Sequence, residues 1–359
     1  MRKLYILLII AFLAGACEDW IEMTPENSVT FDNAFETEKD VESALFATEQ
    51  NVRFELTTWG CWQPWMRGEF SDYRSVTSRD LLTDPNLMYY TQSWSANYRV
   101  IVSANVALPY LDQVKMKDER RDFYRGEIAF FKAFAYLDLI RRFGDCVLLK
   151  DEVVLDPIGK TTWPKVADYA IEQAKEAVRL LPEWNELQET SGSVVTHRAR
   201  PCKGAANALL AHLCAWKAGG KYFAREDQRN YDERELWLRA ERACSWVIDS
   251  SIYQLVSSPE EVCTEVMVGG SKESIFESVY KDQWVEMGGM WEALKFNPAK
   301  DYENWPINNL AMPSDNEWNA FNIKTTTVQE MFPDGDLRKD AYFYKFEEMA
   351  HPDSVEITH

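Results

Sequence analysis

The chain has 359 residues, 46% of them apolar, with 14 Trp, 16 Tyr and 18 Phe, enough for a sizeable core in one large domain or two ordinary ones. Its 58 acidic and 39 basic residues leave a net charge of −19, which excludes a nucleic-acid partner because phosphate binding needs a basic surface. The Trp content exceeds what a core requires and points to binding faces.

The N-terminus is an address. Arg2 and Lys3 precede an apolar run, Leu4 to Leu13, that is too short to span a bilayer. Small residues Ala14, Gly15 and Ala16 then stand directly before Cys17. This run resembles the bacterial lipobox, although Ala14 replaces the more usual Leu or Val. The expectation is a signal peptide over 1–16, a lipidated Cys17, and a tether over 17–33 containing Pro25. Lipid chains anchor through about 0.8 kcal/mol per buried CH₂, so more than one acyl chain holds stably.

Periodicity predicts a first helix from Glu38 to about Glu55, with Val41, Ala44, Leu45, Thr48 and Val52 inward, Thr37 as N-cap and Asp40 as its acidic partner. Residues 57–91 lose the pattern in a long aromatic-rich loop, and loops of that length are usually functional. Gln92 to Val114 reads as helix bent by Pro109. Asp122 to Asp145 has a wide apolar arc, as expected of a helix buried on more than one face, and is closed by Arg141, Arg142 and Gly144. After a connector, Trp163 to Leu181 starts with Pro164 in its first turn. An Ala-rich helix, Pro201 to Lys217, is ended by Gly219 and Gly220. Glu233 to Ser250 returns against it, with Leu236, Leu238, Ala240, Ala243, Val247 and Ile248 inward, and Tyr253 and Leu255 packing just after. The spacing between these pairs is not the strict tetratricopeptide period, so irregular helix pairs are expected. Beyond Ser257 the style changes: Glu273 to Tyr280 alternates like a strand, 281–321 is rich in Trp, Gly and Asn, and Thr325 to Met331 is a short helical turn. The fold class predicted is all-α, of tetratricopeptide-like helical pairs with a loop-rich irregular region and few short strands.

Chemistry is sparse. The four histidines form no HExxH, and there is no P-loop, GxGxxG or metal-spaced cysteine pair, so no catalytic residue, metal or cofactor is assigned. His212 reads as a hydrogen-bonded core residue, Asp334-Gly335-Asp336 as a turn. Carboxylate pairs such as Glu69 and Asp72 carry no specificity among 58 acids. Cys202, Cys214 and Cys244 read as buried thiols in helices, and Cys61, Cys146 and Cys263 as loop residues, most of them free. The aromatic loops are the stronger signal. Flat rings pack on the C–H faces of sugars, and Trp and Tyr have few rotors to freeze.

In order, Cys17-Glu18-Asp19-Trp20 with Pro25, Phe35 to Glu38, Gly126 to Tyr136 with Arg142 to Asp145, Lys203 to Ala211, Ala243 to Ile248, Glu273 to Glu277 and Asp336-Leu337-Arg338 resemble the SusD/RagB family of Bacteroidetes surface glycan-binding lipoproteins. The resemblance covers essentially the whole chain. Family members run longer, with further helices after the Asp-Leu-Arg segment, so the expectation is a SusD-like helical domain over 34–359 that is incomplete at its C-terminus. The resemblance implies binding of oligosaccharide at the cell surface, in the outer membrane through the lipid anchor, and delivery to a SusC-like TonB-dependent transporter. It implies no enzyme activity. Glu18 and Asp19 resemble a surface-export signal. By region it places the ligand-binding residues at Asn86, Tyr89 and Tyr90, then Trp284, Trp291 and Trp305. The alternative ligand for the same transporter class is a peptide or glycoprotein.

Overall fold

The computed structural model describes residues 34–54, 94–154, 156–279 and 329–342. Helices Glu38–Phe54 (α1), Ser95–Ala107 (α2), Asp118–Phe143 (α3), Trp163–Leu180 (α4), Lys203–Gly220 (α5) and Glu233–Asp249 (α6) each pack on their neighbour in sequence. A short helix, Leu337–Tyr342 (α7), follows later. The architecture is therefore the expected all-α stack of irregular helix pairs. The described residues contain no strand, only the isolated bridges Cys146–Thr161 and Gln188–Val194.

Each start and stop has a local cause. At α1 the Asp40 carboxylate accepts from the Thr37 N–H at 2.7 Å and the Thr37 hydroxyl at 2.8 Å, the reach-back half of a capping box. Pro109 turns the end of α2 into a 3₁₀ turn, Leu108–Tyr110. The central helix α3 starts four residues earlier than its apolar arc suggested, at Asp118, where Asp118 and Glu119 suit the positive end of the dipole. It stops where Gly144 takes φ 68°, a conformation that disfavours a side chain. Gly219 and Gly220 lie inside the last turn of α5 instead of ending it.

The core is built around α3, whose Ile128, Phe130, Phe131, Tyr136, Leu139 and Ile140 are all buried. Its small residues let helices approach, and α5 repeats the device with Ala205, Ala206 and Ala211. At Gly204 an added Cβ would lie 2.0 Å from the Tyr253 hydroxyl, so glycine there makes room for the ring. The connector after α3 is closed by the Cys146–Thr161 bridge and stapled by side chains. Tyr98 donates to the Val147 carbonyl at 2.8 Å, and Tyr136 donates to the Leu149 carbonyl at 2.6 Å. The fully buried Lys132 donates to the Lys150 carbonyl and to Asp151 at 2.6 Å.

Several expectations need correcting. Residues 273–279 form no strand. Ile275 and Phe276 both turn into the core, with Phe276 5.1 Å from Phe130, and the Glu277 N–H donates to the Arg198 carbonyl at 3.0 Å. Ile248 and Leu255 are exposed, because α6 is covered by α5 on one side and Ile248 lies off that face. His212 is exposed on α5, not a hydrogen-bonded core residue. Cys263 sits in a π-helical turn, Val262–Val266, not a loop.

All five described cysteines are free: Cys146, Cys202 and Cys214 are buried, but Cys244 is exposed. Burial pushes the Cys146 and Cys214 thiols up to about 11. Native protein treated with iodoacetamide should therefore be alkylated at Cys244 well before Cys146 or Cys214, which should react only on unfolding. Peptide mass mapping of a time course checks this; early labelling of Cys146 would contradict the packing.

Candidate functional site

Asn86, Tyr89, Tyr90, Trp284, Trp291 and Trp305 lie outside the described residues, as does Cys17. What the structure supplies is the frame from which their two segments spring. The first segment rejoins the fold at Trp94, whose ring lies 5.6 Å from Phe143 at the end of α3, with the Lys160 ammonium 4.7 Å above it. The second leaves after Phe276, which is wedged against Phe130 and Phe134 in the middle of α3. Phe134 and Phe143 are roughly 14 Å apart along the axis and about half a turn apart around it. One helix thus holds Trp94 and Phe276 on opposite faces.

The densest charge cluster in the described residues joins α1, α3 and the loop before α5. Arg200, 3% exposed, makes a bidentate pair with Glu127 at 3.0 and 2.9 Å. It also donates to Glu42 at 2.8 Å and to Glu189 at 3.0 Å. Next to it, Arg120 donates to Glu38 at 2.6 Å and to the Tyr124 hydroxyl at 2.6 Å. Burial opposes the charge on Arg200, but Glu127 and Glu42 outweigh it and hold the guanidinium charged. The carboxylates resemble a glycosidase pair only in being close together. Glu42, Glu127 and Glu189 all face the same guanidinium, which leaves none placed as a proton donor to a substrate. The cluster is a structural staple.

A second buried cation, Arg198, lies with its guanidinium 3.7 Å from the Trp184 ring centre and 5.3 Å from that of Tyr253. At the tip after α5, Tyr222 and Phe223 are 80% and 89% exposed on a turn fixed by N–H donation to Gly219 and Gly220 carbonyls. Sequence periodicity did not single them out because a Tyr-Phe pair after two glycines carries no pattern. The Asp334–Asp336 segment is a turn as expected, with Gly335 at φ 87° and Asp336 paired to Arg338 at 2.5 Å. Among the described residues no group of side chains could hold a metal, and no helix is long and apolar enough to cross a membrane.

These features define a class among the described residues: an all-α scaffold of helix pairs whose charged cluster around Arg200 is structural. The family model described as starch-binding associating with outer membrane matches residues 21–214, more than half of the chain, and the chain belongs to this SusD-like family. SusD-like protein P2 of Formosa agariphila is 24% identical over 300 residues, 79% of this chain and 54% of that relative. A solved SusD homolog from Bacteroides thetaiotaomicron superposes with a TM-score of 0.55 at 18% identity, covering 72% of this chain and 50% of its own. A structure solved with a xylogluco-oligosaccharide aligns with a TM-score of 0.51 at 17% identity, over 66% of this chain and 45% of its own. The chain spans about half the length of these relatives.

Proposed function

We propose that the protein is a surface binder of oligosaccharides that captures glycan and hands it, uncleaved, to a SusC-like TonB-dependent transporter. The family match over residues 21–214, to a model described as starch-binding, carries this reading. The relative solved with a xylogluco-oligosaccharide and the aromatic content of both long segments support it. In this reading residues 1–16 direct export, Cys17 takes the lipid that holds the protein at the outer membrane, and 17–33 is the tether. The ligand rests on Tyr89, Tyr90, Trp284, Trp291 and Trp305, with Asn86 bonding hydroxyls. Flat aromatic contacts are sequence-tolerant and wet, which suits modest affinity and easy release to a transporter.

Calorimetric titration with soluble starch, maltoheptaose, a xyloglucan oligosaccharide and a peptide digest tests it. Saturable heat with at least one glycan and none with the peptides is expected. Saturation by the peptides alone would replace the reading with the peptide alternative.

A further inference from the structure

We propose that the cleft between the segment after α6 and the turn at Gly269–Gly270 is a second saccharide subsite, apart from the aromatic loops. The proposal rests on the glycan-binding reading and adds a place to it. The cleft has a volume of about 360 Å³ and is walled by Gln254, Leu255 and Val256 on one side and Gly270, Ser271 and Lys272 on the other, with Glu265 at its end. That volume is at the lower end of small-molecule sites, about 300–1,000 Å³.

The walls are built, not incidental. The Gln254 N–H donates to the Lys272 carbonyl at 3.2 Å, and the Val256 N–H donates to the Glu273 carboxylate at 2.7 Å, so the two sides are tied together. The turn is tied onward, since the Gly270 N–H donates to both oxygens of Glu277 at 3.1 and 3.0 Å. Gly269 and Gly270 have φ of 102° and 77°, and this pair of left-handed residues bends the chain around the cleft. Glu265 comes from the π-helical turn, a rare element that is frequent at functional sites.

The chemistry on these walls fits a sugar. Among the described residues, the side chains of Gln254, Glu265 and Lys272 have no hydrogen bond or ion pair, and all three are exposed. They offer an amide that both donates and accepts, a carboxylate that accepts and an ammonium that donates, beside the Ser271 hydroxyl. Leu255 is 79% exposed and supplies an apolar wall for ring C–H groups. Both donors and acceptors over a small apolar surface suit the vicinal hydroxyls of a neutral sugar better than an apolar or singly charged ligand. Two subsites on one chain would raise the apparent affinity for a polymer above that for a short oligosaccharide.

The test compares wild type, Gln254→Ala/Lys272→Ala and Trp284→Ala/Trp291→Ala by affinity electrophoresis in soluble starch and in xyloglucan. Among the described residues the Gln254 and Lys272 side chains have no hydrogen-bond or ion-pair partner, so the Gln254→Ala/Lys272→Ala variant should keep the wild-type melting temperature. Its apparent affinity for the polymer that wild type binds should fall about tenfold, the loss of two hydrogen bonds of roughly 0.7 kcal/mol each. The tryptophan variant should keep residual retardation that disappears when all four substitutions are combined. If wild type is retarded and the cleft variant is retarded equally, the subsite is refuted while the glycan-binding reading stands. If wild type is retarded in neither polymer and gives no heat with any oligosaccharide, the glycan-binding reading itself fails, and the subsite with it.

Discussion

Arg200→Ala should lower the melting temperature by roughly 10 °C, the largest single-residue effect expected in the scaffold. The substitution removes the one cation that Glu127, Glu42 and Glu189 share, and Glu127 is 2% exposed. Breaking a buried ion pair from one side costs about 3–5 kcal/mol, because the remaining charge has neither water nor a partner. Against a typical stability of about 5–15 kcal/mol this is a large fraction. Arg120 cannot replace the lost cation, since it lies 3.6 Å from Glu42 and is already bonded to Glu38 and Tyr124. The variant also has a pH signature. Burial raises Glu127, and without the Arg200 guanidinium only the charge of Arg120 is left to oppose that rise. A carboxylate whose folded value is raised is stabilising below its unfolded value and costs stability as pH rises through the folded one. The deficit of Arg200→Ala should therefore be smaller at pH 5 than at pH 8. Neutralising both sides, with Arg200→Met, Glu127→Gln and Glu42→Gln together, should recover at least half of the loss. Calorimetric melting of these variants decides it, and a shift under about 2 °C for Arg200→Ala would show that the cluster is not a staple.

The next largest effect is expected at Asp151, the partner of the fully buried Lys132. Asp151→Ala should cost about 2 kcal/mol, less than the Arg200 change, because a half-exposed carboxylate is partly screened. The Lys150 carbonyl also remains as an acceptor for the ammonium. Burial already pulls Lys132 below the ordinary lysine value, and Asp151 pulls it back. Removing Asp151 deepens the depression. Between the folded value and the unfolded lysine value of about 10.4, the unfolded chain then binds more protons, so stability rises with pH in that window. Asp151 itself is lowered on balance: burial raises it, but the Lys132 hydrogen bond and charge outweigh burial. Its contribution is present above about pH 4 and is lost as pH falls through its folded value. The gap between wild type and Asp151→Ala should thus be widest near neutral pH and narrow in both directions. Denaturant melts at pH 3, 7 and 10 give the comparison, and a gap constant across that range would rule out the charge origin of the clamp.

Much of the scaffold was legible because helix–helix packing writes a period into the chain. Val41, Leu45, Thr48 and Val52 were assigned to the inner face of α1 and are buried there. The lengths of α4 and α6 followed from Pro164 and from the apolar positions Leu236, Ala240 and Ala243. Where periodicity failed, the reason was tertiary. Glu273 to Val279 alternates, but Ile275 and Phe276 dock between α3 and α5, and a strand without a partner strand has no ladder to form. The Arg200 cluster was invisible because its partners come from α1, α3 and a loop, and nothing local marks Glu42 or Glu127 as buried. The aromatic residues assigned to ligand were placed by region, since contact with a sugar depends on where a loop puts a ring and not on a repeating pattern. Gln254, Glu265 and Lys272 escaped notice for the same reason: a cleft is made by a turn, here Gly269–Gly270, that brings distant polar side chains together.

The central claim is capture of glycan on the aromatic loops, and the most direct measurement is calorimetric titration of wild type and Trp284→Ala/Trp291→Ala with the same oligosaccharide. Aromatic stacking on a sugar should make the variant at least about tenfold weaker, a loss of about 1.4 kcal/mol, with the melting temperature unchanged. Equal affinity of the two proteins would contradict the placement of the site, and no heat with any glycan in either protein would contradict glycan capture itself.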